Sequence, residues 1–300
     1  MRFGKQPAMS EPGNPREIFS YSATVEIAYE RHGHGPTPVV FLHGFAAALT
    51  TWHDLVPFFP QESHTLYLLD LKGFGFSSKP RDRRYTMEDQ AAIVTAFLER
   101  MGLSNVVLVG HSLGGGIALL TCLQARDGGK DDIVGRLVLI APAAYPQRLP
   151  RIMRWLRNPL LGWSILHLLP LRFMVRYTLE HVFYDHRAIT AKRIARYMTC
   201  FGRRGIGYVF ITTCRQLVPE RYAHLPDRYP AIAVPTLIIW GEHDRIIRPR
   251  HGEKLHAAIP GSLLTVVPCC GHNPHEERPG ETYEILEGFL RNDNPFDNVP

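Results

Sequence analysis

Three residues in this 300-residue chain carry the groups needed to make a hydroxyl attack a carbonyl. Ser112 stands in Gly110-His111-Ser112-Leu113-Gly114, Asp244 in Gly241-Glu242-His243-Asp244-Arg245, and His272 in Gly271-His272-Asn273. A serine hydroxyl is a weak nucleophile and needs a base within hydrogen-bond reach. The base needs a carboxylate to fix its tautomer and to stabilise the imidazolium that forms. Such a set performs acyl transfer through a covalent serine intermediate and needs neither a cofactor nor a metal.

The setting of Ser112 supports this reading. The G-x-S-x-G pattern follows the apolar run Val106 to Val109 directly and leads into Gly115-Gly116-Ile117-Ala118-Leu119-Leu120. Strand, tight turn and helix start are the context that a nucleophile elbow requires. Small flanking residues relieve clashes around a strained serine. The Leu113 N–H then lies at a helix N-terminus, where it can donate to an oxyanion. A second donor is the Phe45 N–H, in His43-Gly44-Phe45 after the run Val39 to Leu42. His43 itself reads as a residue that holds this loop by hydrogen bonding.

Each assignment has a rival. His275 lies close to His272, which is favoured because it directly follows the glycine after a strand. Glu242 is nearer than Asp244 to the end of its strand. The run ending at Ile140 continues into Ala141-Pro142-Ala143 and offers no acid. Asp70-Leu-Lys-Gly73-Phe-Gly75-Phe-Ser77 lacks the G-x-x-x-x-G-K-[ST] pattern of a phosphate loop, so Asp70 reads as a loop organiser. Cys269-Cys270 reads as an inert pair.

The elements that must position these residues are legible from hydrophobic patterning. Short apolar runs at 39–42, 65–69, 106–109, 137–140, 236–240 and 263–267 predict buried strands. Helical segments are expected around 52–59, 87–100, 113–125, 250–258 and 281–290. Their alternation predicts an α/β fold with a mostly parallel sheet covered on both faces. Glu17 to Tyr21 and Thr24 to Arg31 alternate more strongly and predict an antiparallel, hairpin-like start. Between about Ala143 and Pro235 the strand pattern stops. Amphipathic helices are expected there at 151–156, 159–169, 171–182 and 188–200, forming a helical cap over one edge of the sheet. The expected division is a loose tail at 1–15, a core at 16–142 and 231–300, and a cap at 143–230.

Formal net charge is +6, with much of the excess between Arg148 and Arg228. No nucleic-acid motif accompanies it, so nucleic acid is not an expected partner. The charge reads as a solvated helical surface, with an acidic partner or an anionic lipid surface touching the cap as the alternative. Asn158 to Leu171 is apolar but too short to span a bilayer. The five cysteines, an odd number, show no disulfide or zinc spacing and suit a reducing compartment. The N-terminus has no signal-peptide pattern. A cytoplasmic protein is expected.

Together these residues resemble the α/β-hydrolase superfamily in its capped, lipase- and esterase-like branch. The resemblance runs from about Phe41 to Leu290. It rests on His43-Gly44-Phe45, the Asp70 loop, the Gly110 to Gly115 elbow, Gly241 to Asp244 and Gly271-His272, in that order. It implies an eight-stranded sheet flanked by helices, a helical cap inserted after the sixth strand, and a substrate pocket between cap and sheet. Relatives that open epoxides or cleave carbon–halogen bonds use an aspartate nucleophile, so Ser112 argues against both activities. The expected activity is cleavage of carboxylic esters, with a small hydrophobic ester as partner. Cap side chains such as Met153, Trp155, Trp163, Phe173 and Met174 are candidates to line an acyl pocket. A carbon–carbon bond hydrolase of diketones, with Arg148, Arg172 or Arg176 as anion-binding candidates, and a cofactor-free perhydrolase are alternatives on the same triad. A non-enzymatic ligand receptor is a third class. Oligomeric state is left open.

Overall fold

Runs of β-branched and aliphatic residues with no charge between them form strands that are covered on both sides. In the computed structural model, which describes residues 15–147 and 149–291, eight strands join one sheet, the first two, which carry charged residues, lying at one edge. They are β1 (Glu17–Ser22), β2 (Val25–Gly33), β3 (Thr37–Leu42), β4 (His64–Leu69), β5 (Val106–His111), β6 (Val134–Ile140), β7 (Thr236–Gly241) and β8 (Leu263–Val267). Their spatial order is β1-β2-β4-β3-β5-β6-β7-β8. β1 pairs with β2, and β2 with β4, antiparallel. From β4 through β3 to β8 every pairing is parallel. This is the mostly parallel eight-stranded sheet expected, with the antiparallel start. Of the expected tail, residues 1–14 lie outside those described.

Alternate residues of the central strands feed two apolar layers. Val40, Leu42 and Leu108 join one, with α1 (Met87–Arg100) and α2 (Leu113–Asp127). Val39, Phe41, Val107 and Val109 join the other, with Trp52, Leu286 and Phe289. α1 starts at a capping box in which Thr86 and Asp89 satisfy each other's backbone N–H. The expected helix near 52–59 is instead two short 3-10 turns, Leu49–Trp52 and Val56–Phe58. Pro57 has no N–H with which to continue an α-helical ladder.

Between β6 and β7 the chain forms helices α3 (Arg151–Leu156), α4 (Pro159–Leu168), α5 (Leu171–Val182), α6 (Ala191–Phe201) and α7 (Ile206–Gln216). Helices therefore follow the sixth strand, as the resemblance implied. α6 begins three residues later than expected, because Thr190 caps it by accepting from the Arg193 N–H. α7 was not expected. After β7 come α8 (Arg250–Ala258), the short α9 (Pro274–Glu277) and α10 (Pro279–Arg291). Among the described residues no helix is long and apolar enough to cross a membrane. The five cysteines are free thiols, four of them buried.

The order places β3 beside β5 although β4 lies between them in sequence. The sheet thus reverses its winding between β3 and β5. In open α/β sheets the crevice beyond the strand ends at such a reversal is where ligands bind. The loops leaving β3 and β5 carry His43-Gly44-Phe45 and Ser112.

Candidate active site

Ser112 joins β5 to α2 with φ 51° and ψ −115°, a conformation sparsely populated by residues with a Cβ. The turn closes only because its neighbours are glycines. A Cβ on Gly110 would lie 2.4 Å from the Gly114 carbonyl oxygen, and one on Gly114 would lie 2.2 Å from that of Leu42. The surroundings fix the strained residue: its N–H donates to Ile140 O, and its carbonyl accepts from Gly116 and Ala143. Leu113 is the first residue of α2, so its N–H has no acceptor within the helix.

Asp244 lies beyond the end of β7 with its side chain fully buried. Oδ1 accepts from the N–H groups of Ile246 and Ile247 at 2.7 and 2.9 Å. Oδ2 accepts from His272 Nδ1 at 2.7 Å. Neutral imidazole with its proton on Nδ1 presents a lone pair at Nε2, the state a general base needs. The His272 backbone is held on both sides. Its N–H donates to Val182 O at 2.7 Å, and its carbonyl accepts from His111 Nε2 at 3.0 Å. The loop bearing His272 is thereby bonded to the residue that precedes Ser112.

The rivals lie elsewhere. Glu242 is half exposed and accepts from the Cys269 N–H. His275 is fully buried between the rings of Trp52 and His111, and neither of its nitrogens has a hydrogen-bond partner. Burial pushes it down to about 3, so it stays neutral.

The β3 loop is held by His43, whose Nδ1–H donates to Gly44 O while Nε2 accepts from the Leu71 N–H. Burial lowers its pKa to about 4 and keeps it uncharged. Asp70 organises the neighbouring loop. Its carboxylate accepts from Leu49 and Phe76 N–H, and its carbonyl from the Ser77 hydroxyl. Burial raises it to about 6. Gly44 brings the β3 loop against the elbow: a Cβ there would lie 2.9 Å from His111 Nδ1 and 3.2 Å from Ser112 Cβ.

Phe45, Ser112 and Leu113 line one cavity of about 90 Å³. Its other walls come from Met87 on α1, from Ile246 and Ile247 beyond Asp244, and from Met153, Leu217 and Tyr222 between β6 and β7. No charged side chain lines it among the described residues. The expected acyl-pocket residues divide. Met153 lines the cavity, whereas Trp155, Trp163 and Phe173 are exposed on the outer surface. They lie on helix faces turned from the sheet, an orientation that composition does not reveal. Arg172 and Arg176 are likewise exposed, Arg176 pairing with Glu180, and Arg148 lies outside the described residues. Ile246 and Ile247, two and three positions after Asp244, are cavity residues that the sequence reading did not identify.

A second buried polar cluster went unforeseen. Glu276 Oε2 accepts from Tyr197 on α6 and from Asn273 Nδ2, each at 2.6 Å. Arg193 and Arg196 of α6 pair with Asp54 beside it. Among the described residues two groups have the donors for a metal, Glu30–His32–His53 and Glu242–His243–Cys269. In the first, both histidines and Arg16 already pair with Glu30. Neither group includes Ser112, Asp244 or His272.

Residues 39–285 match the sequence profile described as the alpha/beta hydrolase family. The uncharacterized hydrolase YugF of Bacillus subtilis is 30% identical, over 89% of this chain and 95% of that protein. The monoacylglycerol lipase abhd6-B of Xenopus laevis is 27% identical, over 98% of this chain and 85% of that one. Among solved structures, a bacterial membrane phospholipase A superposes with a TM-score of 0.77 at 27% identity, covering 96% of this chain and 88% of its own.

Proposed function

The chain belongs to the alpha/beta hydrolase family, and from that premise we propose that it is a serine hydrolase of carboxylic esters, of carboxylesterase or lipase type. In this reading Ser112 attacks the ester carbonyl as His272 Nε2 takes its proton. Asp244 holds the imidazole by its Nδ1–H and stabilises the imidazolium. The Phe45 and Leu113 N–H groups receive the oxyanion, a contribution of about 3–4 kcal/mol per donor to the transition state. His272 then protonates the leaving alcohol, and water activated by the same base releases the acid from Ser112.

The observation that carries the proposal is the buried 2.7 Å bond from His272 Nδ1 to Asp244, on a loop bonded to the residue before a strained serine. The uncharged cavity lining favours a hydrophobic ester over a substrate needing an arginine for its anionic group. Two of the similar proteins bear the names of ester hydrolases. The proposal divides the chain into a core at 16–142 and 231–300 and a cap at 143–230, with substrate bound between them. Its partner is a small hydrophobic ester, with lipid contact through the cap. The free thiols support a cytoplasmic location.

The test is a fluorophosphonate probe with peptide mapping, together with nitrophenyl esters from acetate to palmitate. Covalent addition at Ser112 and turnover of at least part of the series are expected. An unlabelled Ser112, or no hydrolysis at any chain length, would overturn the proposal.

A further inference from the structure

α4 is a well-formed helix that packs against α3 and α7 and, among the described residues, leaves its other side exposed. Asn158 caps it by accepting from the N–H groups of Leu160 and Leu161, and Pro159 fits its first turn. It has no acidic or basic side chain apart from His167, and the one residue it buries fully is Gly162, set against Leu156 of α3. Leu160 is 82% exposed, Leu168 74% and Trp163 56%. Phe173 on α5 is 58% exposed, and Trp155 on α3 is also exposed. Of the twelve large apolar side chains exposed among the described residues, eight fall between Trp155 and Tyr177. Single exposed apolar residues are ordinary, whereas a concentration of this kind marks an interaction surface.

The charge of the same segment identifies its partner. From Ile133 to Leu179 the sequence contains no Asp or Glu. Arg151, Arg154, Arg157, Arg172 and Arg176 are all exposed there. Tryptophan and leucine among arginines, on helices too short to span a bilayer, is the composition of helices that lie in the headgroup plane of an anionic membrane.

We propose that the outer face of α3–α5 is a docking surface for an anionic lipid bilayer, and that it sets the substrate cavity beside the membrane. The second half rests on the reading of the Ser112 cavity as the substrate site. α3 joins the two: Met153 lines the cavity, while Arg151, Arg154 and Trp155 lie on the outer face. A bilayer seated there is separated from the cavity by roughly 10 Å, the thickness of one helix. A lipid ester then needs to leave the bilayer by only that distance.

The experiment is co-sedimentation of the full chain with vesicles of phosphatidylcholine, alone or with about one third phosphatidylglycerol, at low and physiological salt. The bound fraction is expected to rise about five-fold or more with phosphatidylglycerol and to fall as salt screens the arginines. The triple variant Leu160→Ser, Trp163→Ser, Leu168→Ser changes exposed side chains only and should lose most of the binding. Arg151→Glu with Arg154→Glu should lose the preference for phosphatidylglycerol. Far-ultraviolet circular dichroism and fluorophosphonate labelling check that each variant is folded. Ser112→Ala should bind vesicles like the wild type. Binding without ester turnover would therefore retain this surface and reject the proposed activity, and turnover without binding would do the reverse. Equal binding to both vesicle types would overturn the proposal. So would a stable dimer that the triple variant dissociates, because a second copy would then be the occupant.

Discussion

The Tyr197 hydroxyl donates to Glu276 Oε2 across 2.6 Å, joining α6 to the short helix that follows His272. Glu276 is fully buried, and Oε1 has no hydrogen-bond partner, with Arg193 Nε 3.7 Å away. Burial raises its pKa to about 7, against the pull of Tyr197, Arg193 and Asn273. The folded chain therefore keeps a proton that the unfolded chain sheds from about pH 4.5 upward. That contribution to stability is present at low pH and is lost as pH rises towards 7.

Glu276→Gln keeps an oxygen for Tyr197 and Asn273 and cannot ionise. Its stability relative to wild type should grow between pH 5 and 8, by on the order of 2–3 kcal/mol. Urea melts of both proteins at the two pH values measure this. A constant difference would show that Glu276 does not titrate in that window.

Ser112→Ala should lower ester turnover by roughly three to six powers of ten while leaving the fold intact. Steady-state kinetics alongside thermal melts decide it. Near-normal turnover in a folded variant would remove the nucleophile assignment.

Asp244→Asn keeps an acceptor for Ile246 and Ile247 but turns an amide towards His272 Nδ1. The imidazole then has to accept there and carry its proton on Nε2, where it cannot act as a base. A loss of about two to four powers of ten in kcat is expected. The rate of fluorophosphonate labelling should fall with it, and an unchanged rate would count against the pair.

Two glycine substitutions should act in opposite directions. Gly114→Ala places a Cβ 2.2 Å from one backbone oxygen and 2.6 Å from another, and should cost about 1–3 kcal/mol or more. Gly288, on the exposed side of α10, meets nothing within 4 Å. Gly288→Ala should stabilise by about 0.5–1 kcal/mol. Thermal melts of the pair test whether crowding at the elbow is as tight as described.

The strands and the elbow were legible because buried parallel strands are written as uninterrupted apolar runs and because the turn at Ser112 tolerates little but glycine beside it. The Asp244–His272 pair followed from loops leaving one end of the sheet. α7 was not legible: Ile206-Gly-Tyr-Val-Phe-Ile-Thr-Thr is rich in β-branched and aromatic residues, which favour strands. Burial of Val209, Phe210, Thr213 and Cys214 on one face outweighs that preference. The contact between Tyr197 and Glu276 spans 79 positions and leaves no local trace. The direction of Trp155 and Trp163 depends on how α3 and α4 sit, which their composition leaves open.

The last turn of α5 is more than a neighbour of the imidazole. Val182 O accepts from the His272 N–H, and Glu277 accepts from the N–H groups of Tyr184 and Asp185 just beyond. The loop that carries the base is thus tied through its own backbone to the end of α5, so a displacement of residues 182–185 would act directly on the Asp244–His272 pair.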